Sequence, residues 1–578
     1  MFCAKNNLAF RGSSNIIGEP NSGIFLNTIE LIARYHHPLA EHITNVNLKQ
    51  KSVSYFSPQI QNELIELLGR KVKSEIVTRI KKAKYHSILF DCTPDLSHKE
   101  QMSEIIRYVC VTDGEYSIEE SFLDFIESHQ KTGVGLASEI LFSLNKDELN
   151  IEDCRDQSYD NGANMSGKHS GVQAQITAKN DLARYVPCAA HTINLVGVHS
   201  AEVSPFMITF FGKVQKVFNF FSSSTTRWDK LMKTLEVTLK SQSKTCWSAK
   251  KEAIRSLNIQ ITNVCNVLQE ISNDSLLNAE TRSGAREIMI QVDFEFLCWF
   301  DFWNIILTII DRENRSLQSK NMTIDIASKK IDGLIASIQN LRDRSIHNSM
   351  KKAEIISKDL DIEASFPIKK KRKAKRMFDD ETREESSHIP PEKDFEINCN
   401  IVFDSIVTQL HWRFETMAEI SSDFEFLNGN SLASMSVEDL KKCGDKLCQK
   451  YVRDLNANEF LSEIESFKFQ ASVLIPDLKN ANPLKILQFM HAYSLTEAYP
   501  FIEIALRIFL ALPVTVASCE RSFSKLELLK NYLRSSMGQE RLSNLVILSI
   551  ENPLAKSLCY NEIIDNFASL KARKINFV

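Results

Sequence analysis

Apolar and polar residues repeat along the chain with two different periods, and the switches between them divide it into segments. Residues 1–75 carry helical spacing, in FLNTIELIARYHHPLAEHI and again in PQIQNELIELLGRKVKSEIVTRI, where apolar positions recur every three or four residues. The period then shortens. Ile88, Leu89 and Phe90 form a continuous apolar run ending at Asp91, the pattern of a short strand buried on both faces. Next come SEIIRYVCV, the turn pair Asp113 and Gly114, and YSIEESFLDFI, which predict a hairpin. Helical spacing returns from Gly133 to Leu149. A strand candidate follows from Cys154 to Tyr159, then a helix from about Ser170 to Leu182, then ARYVPCAAHTINLV as a last strand and helix.

The resulting order is strand, hairpin, helix, strand, helix, strand, helix. Three meandering strands followed by α/β alternation suit a ribonuclease-H-like core with a mixed sheet, although periodicity alone allows other α/β folds. From about residue 200 to 480 almost every segment is helical in period, too much for a loop, which predicts a separate all-α unit. Its one interruption is the basic run Lys369, Lys370, Lys371, Arg372, Lys373, Lys375 and Arg376, followed by an acidic block and the pair Pro390 and Pro391. Opposed charge blocks with few large apolar residues predict an exposed, disordered loop over 365–394. After about residue 481 an apolar helical tail continues nearly to the end. The predicted division is 1–75 (helical), 76–245 (α/β core), 246–480 (helical insertion) and 481–578 (helical tail).

Composition agrees with the helical bias. Seventeen Gly and fourteen Pro in 578 residues fall well below the roughly 12% of average usage, so turns are scarce. The net charge of -3, from 70 Lys and Arg against 73 Asp and Glu, gives no global attraction to nucleic acid or membrane, so a charged partner must be met by a local patch. The most apolar run, from Phe294 to Ile310, contains Glu295, Asp301 and Asn304, which argues against a membrane span. The start lacks the basic and apolar regions of a secretory signal. Thirteen scattered cysteines without a CxxC spacing predict reduced thiols rather than a disulfide framework.

Several motifs offer chemistry, each with a plainer alternative. Gly162 to His169, GANMSGKH, nearly spells a phosphate-binding loop, but His169 stands where a magnesium-holding hydroxyl is needed. No nucleotide cofactor is therefore expected, and a Gly-rich turn is the simpler reading. Cys188 and His191 have a CxxH spacing without a suitable second pair nearby, so a structural thiol and histidine are favoured over a zinc site. Asp91 and Asp160 each lie at or just past the end of a predicted strand. Two such carboxylates can hold magnesium ions for phosphodiester chemistry, but a third is normally needed and periodicity does not select it. The basic run at 369–376 suits nuclear import, a DNA-phosphate contact or a solvated loop. Of five tryptophans most are expected in the core, whereas Trp228 and Trp247 sit in polar surroundings that suit stacking on an unpaired base.

The stretches ILFDCTPDLSHKEQMSEIIRYV, RDQSYDNGANMSGKHSGVQAQI, CAAHTINLV, KTCWSAKKEAI and LPVTVASCERSFSKLELLKNYLRSSMGQERLSNLVILSIE resemble, in this order, the hAT-superfamily transposases. The resemblance falls in the branch of the MYM-type zinc-finger protein 1-like and TTF-type finger proteins. The resemblance runs from about Leu8 to Glu551. It implies a ribonuclease-H-like core split by a large helical insertion, with a C-terminal dimerisation region, here 481–578, that completes the core. It implies Asp91, Asp160 and Glu520 as the catalytic and metal-binding acids with Mg2+ or Mn2+. Trp247, by the same resemblance, stacks on a base beside the cut. It further implies DNA as partner, a homodimer or higher oligomer, and a nuclear location without membrane attachment. Two departures stand out. Cys246 occupies the place where the family commonly has Arg, and the zinc finger usual ahead of the FRGSSN segment is expected to be absent. Two readings follow: a Mg-dependent transposase or its recent descendant, and a domesticated, catalytically inactive dimer that binds DNA or protein.

Overall fold

The computed structural model describes residues 1–48, 54–112, 114–242, 247–367 and 390–569. Helix α1 (Pro58–Ala83) starts where Ser57 accepts the N–H of Ile60 and Pro58 takes the first turn, a position that suits a residue with no N–H to donate. Its buried stripe of Ile65, Gly69, Val72, Ile76 and Ile80 follows the helical period of the sequence. The chain then reverses at Lys84, in the left-handed region at φ 61°, and enters the sheet.

Five strands form that sheet: β1 (His86–Pro94), β2 (Glu100–Thr112), β3 (Glu115–Ser128), β4 (Cys154–Ser158) and β5 (Arg184–Tyr185). They lie in the order β3-β2-β1-β4-β5. The first three pair antiparallel, while β1 with β4 and β4 with β5 pair parallel. Parallel neighbours require crossovers, which α2 (Gly133–Lys146) and α3 (Val172–Lys179) supply. The fold is therefore α/β with a ribonuclease-H-like mixed sheet, as the alternation predicts.

One strand differs from its prediction. β1 does not stop at Asp91. Pairing with β4 ends at Leu89, opposite Ser158, but pairing with β2 continues through Asp91, opposite Ser103, to Pro94, opposite Glu100. The apolar run thus marks only the doubly flanked part of the strand; beyond it one neighbour suffices and the residues turn polar. A bulge at Glu104/Ile105 leaves Leu123 of β3 as the extra residue. There the Phe122 N–H donates to Oε1 of Glu551 at 2.8 Å, so a C-terminal carboxylate satisfies a donor that the irregular ladder leaves free.

Three C-terminal helices, α4 (Pro500–Ala511), α5 (Ala517–Leu529) and α6 (Gln539–Ile550), pack on β1, β2 and β3. Compactness accordingly groups Met1–Cys188, Lys320–Asp325 and Glu419–Val578 as one unit and Ala189–Ser319 with Ile326–Ala418 as a second. Periodicity predicts the helical insertion at 246–480; in the structure residues 419–480 go with the sheet and residues 189–242 with the helical unit. The predicted loop over 365–394 also ends sooner, since a helix starts at Pro391, and residues 368–389 lie outside the described residues.

The helical unit is built around Phe294–Leu317, buried along nearly its whole first half. Trp299 meets Phe395 with ring centroids 4.7 Å apart, and Phe302 meets Phe403 at 5.3 Å. The most apolar run of the chain is a core helix, and among the described residues no single helix is long and apolar enough to cross a membrane. All twelve described cysteines are free thiols.

Glu104 is fully buried in β2, where one carboxylate oxygen accepts from Ser143 Oγ at 2.7 Å and the other finds no partner among the described residues. Burial pushes its pKa up to about 8 from an ordinary 4.5, with Lys73 and the Ser143 hydroxyl opposing the shift. The unfolded chain releases this proton from about pH 4.5 upward while the folded one retains it to about pH 8. Stability from this site is thus complete below the lower value and declines through that window. Glu104→Gln should therefore gain in melting temperature over the parent as pH rises from 5 to 8; a difference that does not change with pH would contradict this.

Candidate active site

Asp91 stands in β1 just beyond the point where β4 ends, half-buried, with its Oδ1 accepting the N–H of Cys92 at 2.9 Å. Its pKa is pushed up to about 7, first by burial and then by the negative charge of Asp160; the Cys92 N–H opposes this, and Glu520 and Glu100 add smaller upward pushes. The three acids implied by the resemblance are thus close enough for two of them to be sensed at the third. Glu100 joins them because β1 runs on to Pro94 and pairs there with Glu100, a placement that the apolar pattern does not signal.

Asp160 lies two residues past β4, and its carboxylate accepts the Gly162 N–H at 3.2 Å. The phenolic O–H of Tyr185 donates to its backbone carbonyl at 3.3 Å. A Cβ on Gly162 would sit 2.9 Å from the Asn164 side-chain oxygen and 3.2 Å from both Asp160 carboxylate oxygens. Further along the same loop, a Cβ on Gly171 would fall 2.4 Å from the Gly167 nitrogen, and where the loop meets the start of α2, one on Gly133 would fall 2.2 Å from the Ser170 carbonyl. Gly162, Gly167 and Gly171 all have negative φ, between -61° and -72°, which any residue can adopt. Space, not conformation, demands glycine there. The GANMSGKH segment is a tightly packed turn that seats Asp160, and this accounts for its glycines without a nucleotide.

Glu520 occupies the first turn of α5, with its side chain reaching solvent. Surrounding protein raises its pKa, Arg521 opposes the shift, and solvent access limits the effect. What brings this residue across the chain is the seating of α5. The Val516 N–H donates to Cys188 Sγ at 3.3 Å, the Cys519 thiol lies 3.6 Å from the Leu89 carbonyl, and Ser522 Oγ lies 2.8 Å from Ser103 Oγ. Ser103 is the cross-strand partner of Asp91. The buried Cys188 therefore acts through its sulfur as a seat for the helix that carries Glu520. His191 follows in the helix Ala189–Ala201 of the second unit.

Among the described residues no group of three or more His, Cys, Asp and Glu side chains forms a ready metal cage. The donor chemistry still suits a hard cation. Asp91 and Asp160 are oxygen donors whose mutual repulsion a cation would relieve, and Mg2+ binds through one or two carboxylates with water and phosphate completing its shell. The acids fit an open site, not a closed one.

The expected DNA contacts divide differently. Trp247 begins the helix Trp247–Asn258 in the second unit, while its side chain, Cys246 and Lys369 to Arg372 lie outside the described residues. Trp228 is half-buried with its ring edge-on to Phe218 at 5.9 Å. Trp412, which the sequence reading left among the core tryptophans, is instead exposed, with the Arg413 guanidinium 4.9 Å from its ring centroid.

Comparison with known proteins agrees with this architecture. Residues 1–171 match the RNase-like domain of the ZMYM1/FAM200 family, and residues 456–554 match the hAT family C-terminal dimerisation region. The chain thus carries, in order, an RNase-like region and a C-terminal region similar to those of hAT-derived proteins. The first matched region contains Asp91 and Asp160, the second Glu520. Similar proteins include the human "52 kDa repressor of the inhibitor of the protein kinase", 20% identical over 550 residues that cover 89% of this chain and 67% of that protein. Its mouse counterpart is 20% identical over 558 residues, covering 89% and 68% respectively.

Because Asp160 is the largest charge acting on Asp91, Asp160→Asn should lower the Asp91 pKa from about 7. Infrared difference titration against an Asp91→Asn reference reads this directly, and an unmoved midpoint would remove the coupling on which the site is built.

Proposed function

We propose that this hAT-derived protein binds DNA as a dimer and that Asp91, Asp160 and Glu520 form a divalent-metal site for strand cleavage and transfer. The observation that carries the reading is the ionisation of Asp91. A carboxyl half-buried beside two further acids, and held protonated up to about pH 7 by burial and by the charge of Asp160, is poorly stabilised as an anion by the protein alone. It becomes favourable as an anion once a cation is held beside it. Bound Mg2+ or Mn2+ would neutralise charge that builds on phosphate oxygens during phosphodiester chemistry.

The residues of this chain divide the remaining work. Asp91 and Asp160 would hold the ion, since they repel one another without it. Glu520, open to solvent on α5, would meet the site from the side where a strand can approach. Ser103, Ser522 and Cys188 would act by positioning α5. The basic run at Lys369, Lys370, Lys371 and Arg372 supports nuclear entry or phosphate contact, and Trp247 supports base stacking.

A second reading has its own support. No closed three-donor cage forms among the described residues, and the human and mouse relatives carry the word repressor in their names. A catalytically inactive DNA- or protein-binding dimer would need the same fold and no cleavage.

Mg2+ at millimolar concentration should raise the melting temperature of the full chain, because a ligand that binds only the folded form stabilises it. The rise should vanish in Asp91→Asn. On pre-nicked or hairpin DNA, Mg-dependent cleavage should be lost in Asp91→Ala. Equal cleavage by parent and variant would refute the assignment; DNA binding with neither cleavage nor a melting shift would establish the second reading.

A further inference from the structure

A rigid apolar knuckle spans the last turn of α5 and the turn after it. Leu528 is 53% exposed, Tyr532 80% and Leu533 75%, three large apolar side chains within six residues of the region matched as a dimerisation segment. Loose loops often expose such residues, but this one is fastened on both sides. Lys530 is buried and its ammonium donates to Asp95 Oδ2 at 2.6 Å. The Leu533 N–H donates to the Asn531 side chain at 3.2 Å, and Arg534 donates to the Asn7 carbonyl at 3.2 Å.

The fastening also brings in a fourth apolar residue from elsewhere in the chain. Asp95 opens the turn between β1 and β2, where its other carboxylate oxygen accepts the N–H groups of Ser97 at 2.7 Å and Lys99 at 3.2 Å. Ser97 Oγ then donates to the Ser535 carbonyl at 2.9 Å. The two turns therefore run side by side, and between these anchors the β1–β2 turn presents Leu96, 56% exposed. Apolar side chains collected on two locked turns contribute little to the fold that displays them; a patch of this kind marks an interaction surface.

We propose that this patch, Leu96, Leu528, Tyr532 and Leu533, is where a second copy of the chain docks. The dimerisation match supplies the occupant, and the patch suits it. A two-fold contact sets one surface against its own copy, and an apolar surface is complementary to itself without any pairing of charges. Phe469 and Val473, on one face of the helix Ala457–Leu474, are also exposed within the matched region, but they lie on a single element and gather no residue from the sheet. Docking at the two turns has a further consequence. One turn ends the strand that carries Asp91 and the other ends the helix that carries Glu520, so the contact would brace both acid-bearing elements at once.

Sedimentation of the full chain tests this. The parent should dimerise at micromolar concentration, and Leu533→Asp should weaken the dimer at least tenfold while circular dichroism and melting stay close to the parent. Leu96→Asp, more than four hundred residues away in sequence, should do the same. Phe469→Asp should leave association unchanged. A folded Leu533→Asp or Leu96→Asp chain that dimerises like the parent would overturn the surface, as would loss of the dimer in Phe469→Asp alone. A monomeric parent would also overturn it, while the metal-site reading would still be judged by its own cleavage and melting experiments.

Discussion

The seating of α5 on the sheet is the constraint from which the rest follows. This helix lies more than four hundred residues along the chain from β1, yet it is held there by four separate contacts. They are the Cys188 sulfur at its start, the Leu89 carbonyl and Ser103 hydroxyl along its length, and Asp95 just past its end. The last is a buried ion pair. Removing one partner of such a pair leaves a buried charge uncompensated, at a cost of about 3–5 kcal/mol. The sheet-bearing unit is therefore closed by residues from its far end, and the chain between can leave and return without loosening it.

That closure explains why the three acids lie at the same end of the sheet. Parallel pairing of β1 with β4 stops before Asp91, which opens a gap at that end of the sheet, and the glycine-packed loop after β4 turns Asp160 into it. The antiparallel hairpin keeps β1 extended past Asp91 and so places Ser103 to grip Ser522. Each acid is held by a different device, namely a strand, a packed loop and a helix start. Electrostatics links them, since burial alone would not single out Asp160 and Glu520 as further causes of the Asp91 shift. Such coupling among carboxylates is a mark of functional sites, although structural networks also produce it.

The same contacts give the C-terminal turn its rigidity. Lys530 and Ser97 tie together two turns that lead back to Asp91 and Glu520, so the surface offered to a second copy and the acids of the candidate site share anchors. Glu551 adds another tie by satisfying the free N–H of Phe122 at the β3 bulge. The C-terminal region is thus structural to the sheet as well as the part of the chain matched to dimerisation.

Much of this was legible in the residues themselves, for local reasons. Ile88, Leu89 and Phe90 must be buried on both faces, the alternation after Gly133 must form crossovers, and the run at Phe294 must form a core helix because its few charges leave it nowhere else to go. Family motifs located Asp91, Asp160 and Glu520 in number. Local pattern carries no information on pairing beyond its own window, so it ended β1 at Asp91 and missed Ser103 and Glu100, which strand register sets opposite Asp91 and Pro94. It could not assign residues 419–480 to the sheet-bearing unit, because helical periodicity looks the same whichever core a helix joins. Nor could it tell that Cys188 is a seat for Val516 or that Trp412 faces solvent. Sequence determined which segments are strands and helices and which acids are candidates, because these depend on near neighbours. Tertiary structure alone decided which of them meet, because those meetings join residues hundreds of positions apart through single hydrogen bonds and one buried ion pair.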